Sequence, residues 1–261
     1  MKTTEITKQK LRGGYYTPPV IAEFLIDWAL NGDTSVSILE PSMGDGCFIK
    51  SLADKLASKG ESSIKLGKNI WGVELFGEEI QKAKNELVKK GYRPQNFNLI
   101  EGDFFSIFNK NLLNQKFDVV LGNPPFIRYQ DFPEAQRDQA LDILSKLGFH
   151  PNKLTNAWLF FLLVSVNLLK PNGRIAMVIP AELLQVKYAS EARLFLSIFF
   201  NSITLLSFKK LVFEGVQQEI VLLLGDKKNG NKGIDLIELD SIADLKNYRE
   251  TIKKPEHFKP I

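Results

Sequence analysis

The sequence predicts an α/β fold: a mostly parallel sheet with helices on both faces. Three observations predict it. Short apolar runs alternate with helix-spaced patterns along most of the chain. Glycines and carboxylates gather where the apolar runs stop. The 261 residues, 44% hydrophobic and 25% charged, suit one sizeable core rather than disorder. Strands separated by helices pair in parallel, and such sheets bind ligands beyond the carboxyl ends of their strands.

The elements follow in order. Ser35–Leu39 reads as a strand ending at the turn Pro41-Ser42-Met43-Gly44-Asp45-Gly46. Phe48 to Ala57 has helical spacing through Phe48, Ile49, Leu52 and Leu56. Ile70–Glu74 is a second strand, and Glu78–Lys89 an amphipathic helix with Ile80, Ala83 and Leu87 on one face. Asn98–Glu101 and Phe117–Leu121 are the third and fourth strands. Asn156–Leu169 reads as a buried helix stopped by Pro171-Asn172-Gly173. Arg174–Ile179 is a fifth strand, Ala181–Phe200 mostly helix, and Ile203–Phe208 and Glu219–Leu224 are further strands. Beyond Asp226 the chain turns polar, with one more strand at Ile234–Leu239 and a charged tail.

Composition excludes several classes. The single Cys47 allows no intrachain disulfide and no cysteine zinc site; two histidines, His150 and His257, make no His-rich metal centre. The densest apolar run, Trp158 to Leu169, is interrupted by Ser165 and Asn167 and is too short to cross a membrane. The N-terminus has no apolar signal segment, so a cytoplasmic protein is expected. Net charge is only +4, but Lys2, Lys8, Lys10 and Arg12 form a short basic arm.

The strand ends carry the chemistry. After the first strand, Gly44 and Gly46 permit a tight turn and close backbone approach to a ligand. Glu40 and Asp45 there argue against a phosphate cradle, and no Walker lysine follows. Acidic groups suit a ligand with positive charge and hydroxyls. Glu74 ends the second strand, where a carboxylate accepts from both ribose hydroxyls in dinucleotide folds. Leu75 and Phe76 suit the flanks of an adenine ring. Asp103 fits either an acceptor for an exocyclic amine or a cap on the next helix. The fourth strand ends in Asn123-Pro124-Pro125-Phe126. Two prolines stiffen the backbone and remove two donors. The Asn123 side-chain oxygen and Pro124 carbonyl remain as acceptors beside an aromatic ring, a setting for a planar amine.

Asn-Pro-Pro-Phe resembles the catalytic motif of amino-methyltransferases that use S-adenosylmethionine. Gly13-Gly14-Tyr15-Tyr16-Thr17-Pro18 resembles the cofactor motif of DNA adenine-N6 methyltransferases. Its position before the glycine turn is the order of the gamma class, in restriction–modification systems. Gly173-Arg174-Ile175-Ala176-Met177-Val178-Ile179-Pro180 and Phe213-Glu214-Gly215-Val216-Gln217-Gln218-Glu219-Ile220 are similar to later motifs of that class. The resemblance runs from about Arg12 to Leu224.

The resemblance implies a class I, Rossmann-like methyltransferase fold with seven strands. The cofactor's methionine end would lie against Tyr16, Thr17 and Pro18, with Glu40, Pro41, Ser42, Gly44, Gly46 and Phe48 lining the same pocket. Glu74 would hold the ribose, and Asp103 with Phe104 the adenine that Leu75 flanks. Asn123 and the Pro124 carbonyl would take hydrogen bonds from the target amine, favouring a pyramidal nitrogen, and transfer would be direct, without a metal. Phe126 would stack on a flipped adenine. Phe213 would cover its other face or serve as a core aromatic. Residues 127–155 are expected to form either a lid or DNA-facing element near the substrate, or a solvated helical insertion.

The domain expected is 1–225, with 226–261 a short polar extension too small for a target-recognition domain. Double-stranded DNA is the implied partner, with specificity supplied by a separate domain or subunit. The rival readings are an Asn-Pro-Pro methyltransferase acting on protein glutamine or RNA, and a cofactor-binding subunit without turnover.

Overall fold

The structure is a computed structural model describing residues 16–58, 67–149, 155–185, 189–210, 212, 219–248 and the backbone of 256–258. Its helices are α1 (Pro19–Leu30), α2 (Cys47–Ala57), α3 (Gly77–Lys89), α4 (Phe104–Ile107), α5 (Glu134–Lys146), α6 (Ala157–Asn167), α7 (Glu182–Gln185) and α8 (Ser190–Phe199). Its strands are β1 (Ile38–Glu40), β2 (Ile70–Glu74), β3 (Asn98–Glu101), β4 (Phe117–Gly122), β5 (Leu169–Pro180), β6 (Ser202–Phe208), β7 (Ile220–Asp226), β8 (Gly233–Leu239) and β9 (Glu256–Phe258). They form one sheet in the order β3-β2-β1-β4-β5-β7-β6-β8-β9. The first five in that order pair in parallel, as do β6 and β8. β7 runs antiparallel to both of its neighbours.

Side chains on the central strands alternate between two apolar layers, as pleating requires. Val120, Ile175, Met177, Val221 and Leu223 pack into the layer containing Trp158 and Phe105. Val119, Leu121, Ala176, Val178 and Leu222 pack into the layer containing Ile21, Leu25 and Ile49. The strands therefore read as unbroken apolar runs, the pattern of a sheet covered on both faces. Helix α6 is buried from Ala157 to Val166, so it is apolar all round. Burial of each large apolar side chain contributes roughly 1.5–3 kcal/mol.

Several expectations need correction. The sheet has nine strands rather than seven, because β8 joins β6 and β9 joins β8. The boundary expected at 225 thus falls inside the sheet. Residues 242–247 form a 3₁₀ segment leading to Tyr248, whose ring meets Phe24 of α1 edge-on at 5.4 Å. Pro171-Asn172-Gly173 lie within β5 and not beyond a helix end. The register jumps there, from Phe117 opposite Leu169 to Val119 opposite Arg174, so the turn residues are carried as an irregularity in the strand. The first strand is shorter than expected, since Ser37 donates to Asp118 from both its amide and its hydroxyl, each at 2.8 Å. Helix α1 has no counterpart in the sequence reading. The 127–155 connection contains α5, whose Ala140, Ile143 and Leu144 are buried in the core, so it is not a solvated insertion.

Candidate active site

The chain reverses direction across the sheet between β1 and β4: β2 and β3 lie to one side, β5 to the other. At such a point the loops leaving the strands part and open a crevice. A cavity of about 470 Å³ lies there, a volume that suits a cofactor-sized ligand.

The acidic wall is built first. β1 places Glu40 at the cavity, 1% exposed, with its Oε2 buried and without a hydrogen-bond partner. Burial, with Asp45 and Glu74 nearby, pushes its carboxyl well above the ordinary value of 4.5. The following turn is closed by Met43 N–H donating to the Val73 carbonyl at 2.9 Å and Gly46 N–H to the Met43 carbonyl at 2.9 Å. Gly44 and Gly46 both take positive φ, at 53° and 79°. A Cβ at Gly46 would fall 2.6 Å from the Ala83 Cβ, so a side chain there would part α2 from α3. Glu74, at the end of β2, accepts from Gly44 N–H at 2.8 Å and from Phe76 N–H at 3.0 Å. Its burial outweighs those bonds and raises its pKa.

The remaining lining comes from several elements. Tyr16 is 47% exposed and donates to Glu79 Oε2 at 3.3 Å. Thr17, Pro41, Ser42, Phe48, Leu75, Asp103 and Phe104 also face the cavity. Asp103 caps α4, accepting from Ser106 N–H at 2.8 Å. Pro18 and Gly46 do not line the cavity; they are the residues that cap the starts of α1 and α2. Cys47 sits at the start of α2, its thiol pushed up to about 12, chiefly by burial, so it is no nucleophile.

The neutral wall is the end of β4. Asn123 and Pro125 line the cavity, whereas Pro124 is buried behind them. Asn123 Nδ2 donates to Thr17 Oγ1 at 3.2 Å, and Ser42 Oγ donates to the Asn123 carbonyl at 3.3 Å. Phe126 is half-buried, touches both apolar layers beyond the carboxyl end of β4 and is not part of the cavity lining. The chain beyond it is pinned to α6: Tyr129 N–H donates to Asn156 Oδ1 at 3.2 Å and Ala157 N–H to the Ile127 carbonyl at 2.9 Å.

Sequence reasoning missed the far wall, made by Ile127, Asp131, Phe132, Pro133, Gln136 and Phe161. The one signal was the long connection after Phe126. Phe161 stacks on Phe104 at 5.3 Å, a contact between distant segments that no local pattern shows. Phe213, Gly13, Gly14, Tyr15, His150 and residues 214–218 lie outside the described residues. Among the described residues, no group of three or more His, Cys, Asp or Glu is placed to hold a metal, and no helix is long and apolar enough to cross a membrane.

This geometry of strand ends has known counterparts. The profile of the N-6 DNA Methylase family matches residues 1–261. The chain belongs to the N-6 DNA Methylase family. Its similar proteins include Type II methyltransferase M.AccI of Acinetobacter calcoaceticus, 25% identical over 260 residues, covering 98% of this chain and 44% of that protein. Type II methyltransferase M.HincII of Haemophilus influenzae is 27% identical over 238 residues, covering 90% and 41%. The chain thus spans less than half the length of these relatives. Among solved structures, the DrdV–DNA complex superposes with a TM-score of 0.75 at 16% identity, covering 97% of this chain and 31% of that one. The type I restriction–modification methyltransferase subunit of Streptococcus thermophilus superposes at 0.71 with 18% identity, covering 90% and 52%. These structural likenesses show that the family fold is present.

Proposed function

We propose that this chain is the catalytic part of a site-specific DNA methyltransferase. It transfers a methyl group from S-adenosylmethionine to the N6 amine of an adenine flipped out of duplex DNA. The observation that carries the proposal is that the Asn123-Pro124-Pro125-Phe126 turn meets an acidic cavity, through Asn123 and Pro125, at one strand crossover. Family membership and relatives named type II methyltransferases support DNA over RNA or protein glutamine, and support a place in restriction–modification.

The acidic wall fits a cationic cofactor. Glu40 Oε2 is buried without a partner, and a ligand ammonium would provide one and let the carboxyl ionise. Glu74 keeps lone pairs beyond those taken by Gly44 and Phe76, enough for ribose hydroxyls. Asp103 retains its second oxygen for an adenine amine, and Leu75, Phe104 and the Phe161 behind it offer apolar faces. When bound, the cofactor supplies an electrophilic methyl on a sulfonium.

The neutral wall would act on the target amine. Its lone pair is delocalised into the base, so the Asn123 amide oxygen and Pro124 carbonyl would draw on the two N–H bonds and favour a pyramidal nitrogen. Stiff prolines hold those acceptors before the reaction starts, so little reorganisation is needed. Phe126 would stack on the flipped base, returning roughly 1–3 kcal/mol of the flipping cost. The leaving proton would pass to solvent, because a methylated anilinium-like nitrogen is very acidic.

The test is incubation with labelled cofactor and, separately, unmethylated duplex DNA, tRNA and protein. Label appearing in DNA as N6-methyladenine supports the reading. Label only in RNA or protein, or in no acceptor, overturns it.

A further inference from the structure

Thr17 lines the cavity beside the proposed methionine end of the cofactor, yet its hydroxyl oxygen accepts a hydrogen bond from Asn123 Nδ2 at 3.2 Å. The two residues are 106 positions apart in sequence. Each is followed by two prolines, Pro18-Pro19 and Pro124-Pro125. Proline fixes its own φ and restricts the residue before it, so two stiffened segments face each other across this contact. Thr17 is 6% exposed. Its backbone carbonyl also takes a contact from the Cys47 thiol at 3.4 Å, which ties it to the start of α2.

An asparagine amide has two ends of nearly equal size, an acceptor oxygen and a donor NH₂. Its last torsion is broad and roughly two-fold, so turning the group over meets little steric resistance. In the structure the Asn123 NH₂ donates to the Thr17 hydroxyl, and the amide oxygen is buried. A hydroxyl both donates and accepts, so Thr17 restrains the amide whichever end meets it. The Ser42 hydroxyl holds the backbone carbonyl of the same residue, so Asn123 is tied at both main chain and side chain.

We propose that Thr17 is a positioning residue: its hydroxyl anchors the Asn123 amide at the end of β4, so that the group is held in place for the acceptor amine. This rests on the proposed methyl transfer. It assigns Thr17 a role apart from cofactor affinity, and it links the N-terminal cofactor motif to the catalytic one.

The test compares the unaltered chain with Thr17→Val, which keeps the shape and loses the hydroxyl, and Thr17→Ser, which keeps the hydroxyl. Methyl transfer to unmethylated plasmid DNA is measured at saturating cofactor, and cofactor binding by calorimetry. The Asn123 side-chain NH₂ resonances, assigned by their loss in Asn123→Ala, are followed by NMR without cofactor or DNA. The expected result is a kcat lower by about tenfold in Thr17→Val, the scale of one lost hydrogen bond. Thr17→Ser should return it to within about threefold, and the amide proton facing residue 17 should shift in the valine variant alone. Thr17→Val with unchanged kcat and unmoved Asn123 resonances overturns the proposal. So does a loss confined to cofactor affinity. No transfer by the unaltered chain to any duplex defeats the proposed function and this role with it, a result distinct from an active chain whose valine variant is equally active.

Discussion

The two walls of the cavity differ in how they are stabilised. The wall from β1 and β2 is charged, and its carboxylates are strained by burial: Glu40 and Glu74 both have raised pKa values. The wall from β4 has no ionisable group in Asn123-Pro124-Pro125-Phe126 and is held by hydroxyls from Thr17 and Ser42. The first wall stores an unfavourable desolvation that the proposed cationic cofactor would relieve. The second stores nothing of the kind; its contribution is a fixed direction for two acceptors. The difference teaches that affinity for cofactor and rate of transfer should be separable by mutation.

The largest expected effect tests that separation directly. Asn123→Ala should lower methyl transfer by about 10²–10³-fold, the scale seen when one preorganised transition-state partner is removed. Cofactor affinity by calorimetry should stay within about threefold. An equal loss in both would show that the two walls act as one unit.

Glu74→Ala should do the reverse. It removes the acceptor of Gly44 and Phe76 together with the proposed ribose contact. Charge-assisted hydrogen bonds contribute about 1.5–3 kcal/mol, so the cofactor's Kd should rise by about ten- to a hundredfold. The rate at saturating cofactor should fall much less. An unchanged Kd would remove Glu74 from the cofactor site.

Glu40→Gln should show itself through pH. The carboxyl is raised above 4.5 in the folded chain, so above pH 4.5 the folded state keeps a proton that the unfolded state releases. Stability of the cofactor-free protein then falls as pH rises from 4.5 through the raised value. The glutamine variant lacks that slope, so its Tm should gain on the unaltered chain across this range. Cofactor binding by the unaltered chain should release a proton, seen as a buffer-dependent enthalpy, and tighten with pH; the variant should show neither. Parallel Tm curves would mean that Glu40 is already ionised in the folded state.

Much of this arrangement was legible in the sequence. Strand ends at Glu74, Glu101 and the Asn-Pro-Pro-Phe turn could be located because polar residues interrupt apolar runs that have no other reason to stop. The tie between Thr17 and Asn123 was not legible, because it depends on how α1 docks, and α1 itself escaped notice. Its segment, Pro19–Leu30, carries Ile21, Leu25 and Ile26 at helical spacing, opposite Glu23 and Asp27; that pattern was overlooked, and those three residues are buried in the layer shared with α2 and the sheet. The far wall at Phe132 and Gln136 was hidden for another reason. Helix α5 has only three buried positions, too few to mark it as core until its packing on α6 is seen. Strand β8 was legible at Ile234–Leu239, whereas β9 was read as tail, because its pairing with β8 joins segments with no local signature.

The smallest expected effect concerns the edge of the acidic wall. Tyr16 is an exposed member of the cavity lining, and its hydroxyl donates to Glu79. That hydrogen bond is exposed and competes with water, so it adds little. The ring is different, since it offers a π-face to a cationic ligand, an interaction worth about 0.5–1 kcal/mol where exposed. Tyr16→Phe should therefore leave the cofactor's Kd within about twofold, while Tyr16→Ala should raise it by about three- to fivefold. Neither should alter the rate at saturating cofactor, because Tyr16 belongs to the charged wall and not to the Asn123 side. A phenylalanine variant as weak as the alanine one would transfer the effect from the ring to the Glu79 bond. It would then make Tyr16 a tie to α3 rather than part of the cofactor's own surroundings.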